Sequence, residues 1–509
     1  MITTAPSRAP ASLALAFVLV ALAAGLLPVL SLGIAGGLAG FDAYLLRVLT
    51  FTIVQAGLST LISVVIGLAV ARALARQRFH GRAAILRLLN LPLALPAIVV
   101  IIGVVGVYGA KGWLGGMFDI YGLQGILLAH VLFNFPLAAR LLLGTFERIP
   151  HESWKLAAQL DFNAIDVWRR VEWPALRESL PGVALLIFLL CAASFAIVLT
   201  LGGGPRATTL EVAIYQALRA DFDPPRAAAL AVVQLLLCIG LAAVAQRFGG
   251  LLQGWPTLRG TSLRYDGQTA LSRMIDGMVI LAGLLILLPP LLVLAVSGAA
   301  NINLSGDLAI SALTSLALGA SSAGLSFVIV WTLAARAARS GHWRKLAAVL
   351  VLAAWIVPPA VLATGWFVTL NRFADMTGLA PLLVIAMNGL MALPFAYHVL
   401  SPAMAQAADR HDRLCAGLGI TGLNRLRFID LPALRRPIGL ALVMALIVSL
   451  GDLTAISLFG TQDLVTLPSF IHRQMGSYRF DEAVGTALLL TLLVLALTGL
   501  AERWSAARD

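Results

Sequence analysis

Twelve apolar runs, each long enough to cross a bilayer, constrain this chain more than any other feature. They occupy residues 12–32, 48–74, 85–108, 121–146, 180–201 and 226–247, then 275–297, 308–335, 346–370, 379–403, 436–460 and 482–501. A membrane-crossing helix needs about 20 apolar residues, and only helices or closed barrels satisfy every backbone polar group in lipid. The chain is 60% hydrophobic and 12% charged, with mean hydropathy +0.93, whereas soluble domains carry about a quarter charged residues. The expectation is an all-α integral membrane protein of about twelve transmembrane helices. Residues 12–32, preceded by Arg8, also have the charge and core of a secretory leader. That run is longer than a leader core and precedes no cleavage site with a soluble domain, so it is expected to stay as a helix.

Orientation follows from where the basic residues fall. With a cytoplasmic N-terminus, the cytoplasmic loops collect Arg72, Arg76 and Arg78, then Arg169 and Arg170, then Arg336 and Arg339, then six arginines between 410 and 436. This is the positive-inside pattern, and it places both termini in the cytoplasm. The net charge of +12 is therefore a topology signal, and no aromatic-interleaved basic patch suggests nucleic acid. Cys191 and Cys238 fall within spans and Cys415 outside them, with neither a disulfide framework nor zinc-ligand spacing. No nucleophile–base pair, H-E-x-x-H or phosphate-binding G-x-x-x-x-G-K-[ST] occurs. The chain is expected to catalyse nothing and to bind no metal or cofactor; any ATP would be hydrolysed by another polypeptide.

The two sets of six runs are copies of one plan. Pro136 and Pro394, Pro174 and Pro432, and Gly202 and Gly460 each lie 258 positions apart, while Arg72 and Arg336 lie 264 apart. Both halves enter and leave on the same side, so the repeats are parallel, related by an axis along the membrane normal. Residues 1–250 read as the first repeat, 251–272 as a cytoplasmic linker rich in Gly and polar residues, and 273–509 as the second repeat.

Each repeat carries the same polar segment after its fourth span: QLDFNAIDVWRRVEWPALR at 159–177 and GLGITGLNRLRFIDLPALR at 417–435. A helix is expected to run to Leu160 or Leu418 and break, with Gly419 supplying left-handed geometry in the second copy. Asn163 and Thr421 are N-cap types. A short helix is expected at 164–172 and 422–430, ending before Pro174 or Pro432, because the residue before proline avoids the α region. It shows apolar Ile165 and Trp168, or Leu423 and Leu426, beside Arg169 and Arg170, or Arg425 and Arg427. One such helix alone reads as an amphipathic segment on anionic lipid. Two copies in register favour docking into grooves of a two-fold partner.

These segments, 147–177 and 405–435, resemble the EAA loop of binding-protein-dependent ABC importer permeases: Glu-Ala-Ala, three residues, Gly, nine residues, Ile-x-Leu-Pro. Gly419, Ile429, Leu431 and Pro432 match its latter half; Val171, Trp173 and Pro174 fit in the first copy, where Asp161 replaces the glycine. The Glu-Ala-Ala part is degraded to Lys155-Leu156-Ala157 and Arg413-Leu414-Cys415. The resemblance implies a type I importer fold and assigns coupling to an ATPase to Leu160, Asp161, Asn163, Ile165, Trp168, Pro174, Leu418, Gly419, Thr421, Leu423, Leu426, Ile429 and Pro432. Residues 194–234, with SLGDLTAISLFG at 449–460 and TLPSFIHRQMGSYR at 466–479, are similar to the fused thiamine importer permeases. That implies a bacterial inner-membrane subunit translocating thiamine and its phosphate esters. Its partners would be a cytoplasmic ABC ATPase in two copies, using ATP and Mg²⁺, and a periplasmic thiamine-binding protein. Fused iron(III) permeases share the plan, and a proton-coupled secondary carrier is the other class with two parallel six-helix halves.

Thiamine is a cation with aromatic rings, and ionisable residues within spans are costly and mostly functional. Asp452 and its counterpart Ser194, with Phe195 and Trp366, are the candidate pathway residues. The alternative for Asp452 is a helix cap. His130, Asn134, Asn388 and His398 read as helix–helix hydrogen-bonding groups. Glu211, Tyr215 and Gln216 read as part of a short re-entrant or surface helix.

Overall fold

The computed structural model describes residues 8–35, 42–115, 119–202, 204, 206–247, 264, 266, 269–371 and 376–506. Of the 251–272 linker, therefore, only Arg264, Asp266 and the residues from 269 onward fall within it. The described chain is helical and contains no strand. Ten of its helices are long and apolar enough to cross a membrane, and two bent pairs bring the number to twelve, as the sequence implies.

The first half runs α1 (Arg8–Ala35), α2 (Ala43–Arg76), α3 (Arg82–Ala94), α4 (Ala97–Tyr108), α5 (Leu123–Arg148) and α6 (His151–Gln159). It continues with α7 (Ala164–Val167), a π turn (Trp168–Glu172), α8 (Trp173–Ala192), α9 (Ala196–Leu201), α10 (Leu210–Arg219) and α11 (Pro224–Arg247). The second half runs α12 (Ala270–Ala300), α13 (Gly306–Ala337), α14 (Gly341–Ile356), α15 (Pro359–Leu370) and α16 (Met376–Gly417). Then come α17 (Gly422–Arg425), a π turn (Leu426–Asp430), α18 (Leu431–Leu450), α19 (Thr454–Phe459), α20 (Leu467–Gly476) and α21 (Phe480–Ala506).

Prolines explain where the expected spans break. The run at 346–370 is split at Pro358-Pro359 into α14 and α15, which cross at 89°, and the run at 85–108 is split at Leu95-Pro96 into α3 and α4. The runs at 180–201 and 436–460 are each interrupted, at Ala193–Phe195 and Gly451–Leu453. Pro150 caps α6 and separates it from α5, whereas the corresponding Ala408 lets α16 run unbroken for 42 residues.

The chain forms two compact units that do not follow its two repeats. One comprises Met1–Gly40, Ala213–Leu235 and Ile302–Asp509; the other comprises Phe41–Val212 and Leu236–Asn301. The first helix of each repeat thus packs among the helices of the other repeat. In the first unit, α1 lies on α15. The Trp366 indole N–H donates to the Ala21 carbonyl at 2.9 Å, and a Cβ on Gly365 would fall deep inside the Gly25 carbonyl oxygen. In the second unit, α12 lies on α4, where a Cβ on Gly103 would sit 2.9 Å from the Pro290 carbonyl oxygen. Close backbone approach at small residues replaces the hydrophobic drive that lipid removes.

A polar seam on the second helix of each repeat faces protein. Thr52, Ser59 and Ser63 on α2, and Ser315, Ser322 and Ser326 on α13, occur at matching positions 263 apart and are all buried. Thr52 accepts from the Leu210 amide at 3.0 Å, and Ser315 accepts from the Leu467 amide at 2.7 Å. Each seam therefore anchors the N-terminus of the short helix, α10 or α20, that follows the interrupted span.

Candidate functional site

The polar segment of each repeat folds into a sharp bend. In the first copy, α6 ends and Asp161 adopts a left-handed φ of +51°, a conformation asparagine and aspartate tolerate better than other non-glycine residues. Asn163 then caps α7, its Oδ1 accepting from the amides of Ile165 and Asp166, both at 2.9 Å. In the second copy Gly419 takes φ +64° as expected, but Thr421 caps nothing with its side chain. Gly422, the residue after it, is also left-handed, at φ +59°.

The short helices do not end before Pro174 and Pro432. Each passes through a π turn directly into α8 or α18, giving single runs over Ala164–Ala192 and Gly422–Leu450. The Trp173 amide donates to the Trp168 carbonyl, and the Leu431 amide to the Leu426 carbonyl, five residues back. Each proline sits in the first turn of the following α-helix.

The π turn also changes which side chains face outward. Ile165 is 63% exposed with Leu160 beside it, and Leu423 is 82% exposed with Leu418 beside it. Trp168 and Leu426, expected on that face, are half-buried, as is Ile429. Trp168 lies under the Arg72 guanidinium, 5.4 Å from ring centroid to carbon, and 6.1 Å from the Trp173 ring. In the second copy the missed apolar group is Phe428, 64% exposed. Reading with a 3.6-residue period selected Leu426 as the companion of Leu423; across an i to i+5 turn the residue five positions on shares the face.

Beneath each bend lies an ionic cluster with a buried centre, Glu172 in the first copy and Arg425 in the second. In the second copy Arg425, expected as surface charge, is instead buried at 8% exposure, pairing with Asp412 before the bend and with Asp430 in the π turn. Asp412 also takes a two-pronged hydrogen bond from Arg339 at 2.9 and 3.0 Å. In the first copy Glu172 is fully buried and accepts from Arg72 Nε at 2.8 Å and from Arg264. Arg264 also donates to both oxygens of Asp266, at 3.1 and 2.8 Å. Burial alone would push the Asp266 carboxyl up, but the Arg264 hydrogen bonds and charge outweigh it and hold the group below the usual carboxylate range. Arg76 joins Asp266 and Asp276, and Gln77 donates to Asp276 at 2.6 Å.

The pathway candidates occupy the two interruptions and their surroundings. Ser194 and Phe195 lie in the break between α8 and α9; Asp452 lies in the break between α18 and α19. Asp452 caps α19, accepting from the amides of Thr454 at 3.0 Å and Ala455 at 2.9 Å, so the cap reading describes its geometry. Trp366 is committed to α1 through its N–H and stacks on Phe459, centroids 6.4 Å apart. Ser194 and Phe195 belong to one compact unit, Asp452 and Trp366 to the other. His130 pairs with Ser59 at 3.2 Å, Asn134 with the Cys191 sulfur at 3.3 Å and Asn388 with Ser449 at 3.0 Å, all between helices as expected. Instead of such a bond, the His398 ring packs edge-on against Trp355. Glu211, Tyr215 and Gln216 fall on α10 as expected, with Glu211 buried. Among the described residues, no group of three His, Cys, Asp or Glu could hold a metal.

Residues 293–507 match the family of binding-protein-dependent transport system inner membrane components. The chain is 46% identical over 519 aligned residues to the thiamine transport system permease protein ThiP of Brucella abortus, covering 97% of this chain and 95% of that one. It is 43% identical to the protein of the same name from Escherichia coli K12, covering 91% and 89%. With the Haemophilus influenzae protein identity is 35%, covering 89% and 87%.

Proposed function

The chain belongs to the family of thiamine transport system permeases, and from that premise we propose that it translocates thiamine, with its phosphate esters, as the membrane subunit of an ATP-driven importer. The observation that carries the coupling half of this reading is the pair of exposed apolar bends, Leu160 with Ile165 and Leu418 with Leu423 and Phe428. They recur in register in a chain that has no phosphate-binding loop of its own. We assign the bends to the cytoplasmic side, with both termini, on the distribution of arginines. A cytoplasmic ABC ATPase, one copy per bend, receives them in its grooves and uses the ATP and Mg²⁺; a periplasmic thiamine-binding protein delivers substrate.

The unbroken runs supply the transmission. Ala164–Ala192 and Gly422–Leu450 are each 29 residues, roughly 43 Å of helix at 1.5 Å per residue. Each begins at a docking bend and ends at an interruption, Ala193–Phe195 or Gly451–Leu453. Closing the ATPase copies on each other moves the bends, and a continuous helix carries that displacement to the break. We place the substrate's passage beside the α18–α19 interruption, where the Asp452 carboxyl is a group whose ionised form suits a cationic substrate.

The test is uptake of labelled thiamine by cells with and without this chain, after collapse of either the proton gradient or the ATP pool. Uptake that is lost with ATP and survives loss of the gradient is expected. Dependence on the gradient would refute the ATPase reading, and uptake of ferric iron in place of thiamine would refute the substrate.

A further inference from the structure

The two ionic clusters share one acidic position and differ at two others. Glu172 and Asp430 correspond at an offset of 258, as do Trp154 and Asp412, which lie in the helix arm before each bend. In the second copy Arg425 joins these two arms, reaching Asp412 on one and Asp430 on the other. Its counterpart in the first copy is Val167, a buried apolar residue that can join nothing. The arginine that fills this role in the first copy comes from outside the repeat. Arg264, in the segment connecting the repeats, places its guanidinium 4.0 Å over the Trp154 ring and pairs with Glu172. Its side chain is only 2% exposed. Asp266, two residues on, holds it in place and is itself held by Arg76.

We propose that the connecting segment is a working part of the first bend: Arg264 is a positioning residue that replaces the missing cis arginine and fixes the two arms of the first docking element. The segment thereby does more than tether two permease halves. The two-pronged bond to Asp266 fixes the orientation of the guanidinium, which then spans the Trp154 ring face and buried Glu172, and removing it leaves Glu172 buried with one cationic partner fewer. Among the described residues, the second bend takes its arginines from its own repeat. This rests on the reading of the bends as ATPase-docking elements only for its consequence in transport; the positioning itself is a property of the permease alone.

Amide hydrogen exchange on the purified full chain tests it. Arg264→Ala is expected to raise exchange at least tenfold across residues 151–172 and to leave 409–430 unchanged. Arg264→Lys, which keeps the charge and loses the fork, gives a smaller rise. The double variant Arg264→Ala with Val167→Arg, which returns the arginine to the position it holds in the second copy, restores most of the protection. Unchanged exchange at 151–172, an equal rise in both bends, or no rescue by Val167→Arg would overturn the proposal. A second arm separates it from the docking reading. Ile165→Cys and Leu423→Cys chains are labelled with a photoactivatable cross-linker in membranes holding the partner ATPase, the native cysteines being buried. Arg264→Ala is expected to cut the cross-link from position 165 about tenfold and to spare that from 423. Failure of both probes to reach the ATPase in the otherwise native chain would refute docking while the exchange result still decides the positioning.

Discussion

Truncating Leu423 tests whether the exposed face of the second bend carries binding energy. The side chain is 82% exposed, so Leu423→Ala removes no packing from the permease and leaves its stability within about 0.5 kcal/mol. If the residue is buried on docking, the change deletes three carbons from an interface at about 0.8 kcal/mol each. Discounting for incomplete burial leaves about 2 kcal/mol, and every 1.4 kcal/mol is tenfold in affinity. The expected result is therefore a roughly 30-fold weaker hold on the ATPase subunit, measured by titrating that subunit onto permease in nanodiscs. Leu426→Ala is the contrast. Leu426 is half-buried within its own chain, so it should lower the melting temperature of the permease more than it weakens docking. Equal affinity for the Leu423→Ala and unaltered chains would refute the reasoning, as would a larger effect from Leu426.

Three further outcomes follow from backbone geometry and capping. Gly419→Ala should cost about 1 kcal/mol through its left-handed φ alone, since an added Cβ there meets open space; Gly419→Asp should cost less, because Asp161 already holds that conformation in the first copy, and thermal unfolding of the two variants orders them. Gly365→Ala cannot be accommodated against the Gly25 carbonyl oxygen without displacing α1, a cost of about 3 kcal/mol or more that should appear as loss of folded protein in membranes. Asp452→Asn keeps an acceptor for only one of the two amides, since Thr454 donates to Oδ1 and Ala455 to Oδ2, and should cost about 1 kcal/mol of capping while leaving the protein in the membrane. If the carboxylate charge favours the cation, thiamine uptake in that variant falls at least several-fold; unchanged uptake would reduce Asp452 to a cap worth about 1 kcal/mol.

Much of the fold was legible because a bilayer enforces it. Apolar length located the spans, the 258-residue offset located the bends, and left-handed geometry was correctly expected at Gly419. Asn163 was equally legible as a cap, since an asparagine after a break has few other uses. The packing of α1 on α15 and of α12 on α4 was not legible, because it depends on Gly365 and Gly103 meeting particular backbone atoms, and glycines are common in any membrane helix. The π turns defeated the reading twice. They carried the helix past Pro174 and Pro432, and they rotated Phe428 outward where a 3.6-residue period put Leu426. Arg425 looked like a topology charge, and its burial shows only when the carboxylates facing it are known. The matched Ser and Thr positions on α2 and α13 could have been found by extending the repeat comparison to an offset of 263.

On this mechanism the chain moves thiamine at the expense of ATP held by another subunit. The most direct test reconstitutes permease and ATPase into sealed vesicles, with thiamine and its binding protein outside and ATP either inside or absent. The account predicts thiamine accumulation that requires luminal ATP, persists with a protonophore, and is lost with Leu423→Asp. Accumulation without ATP, or its collapse by the protonophore alone, would contradict it.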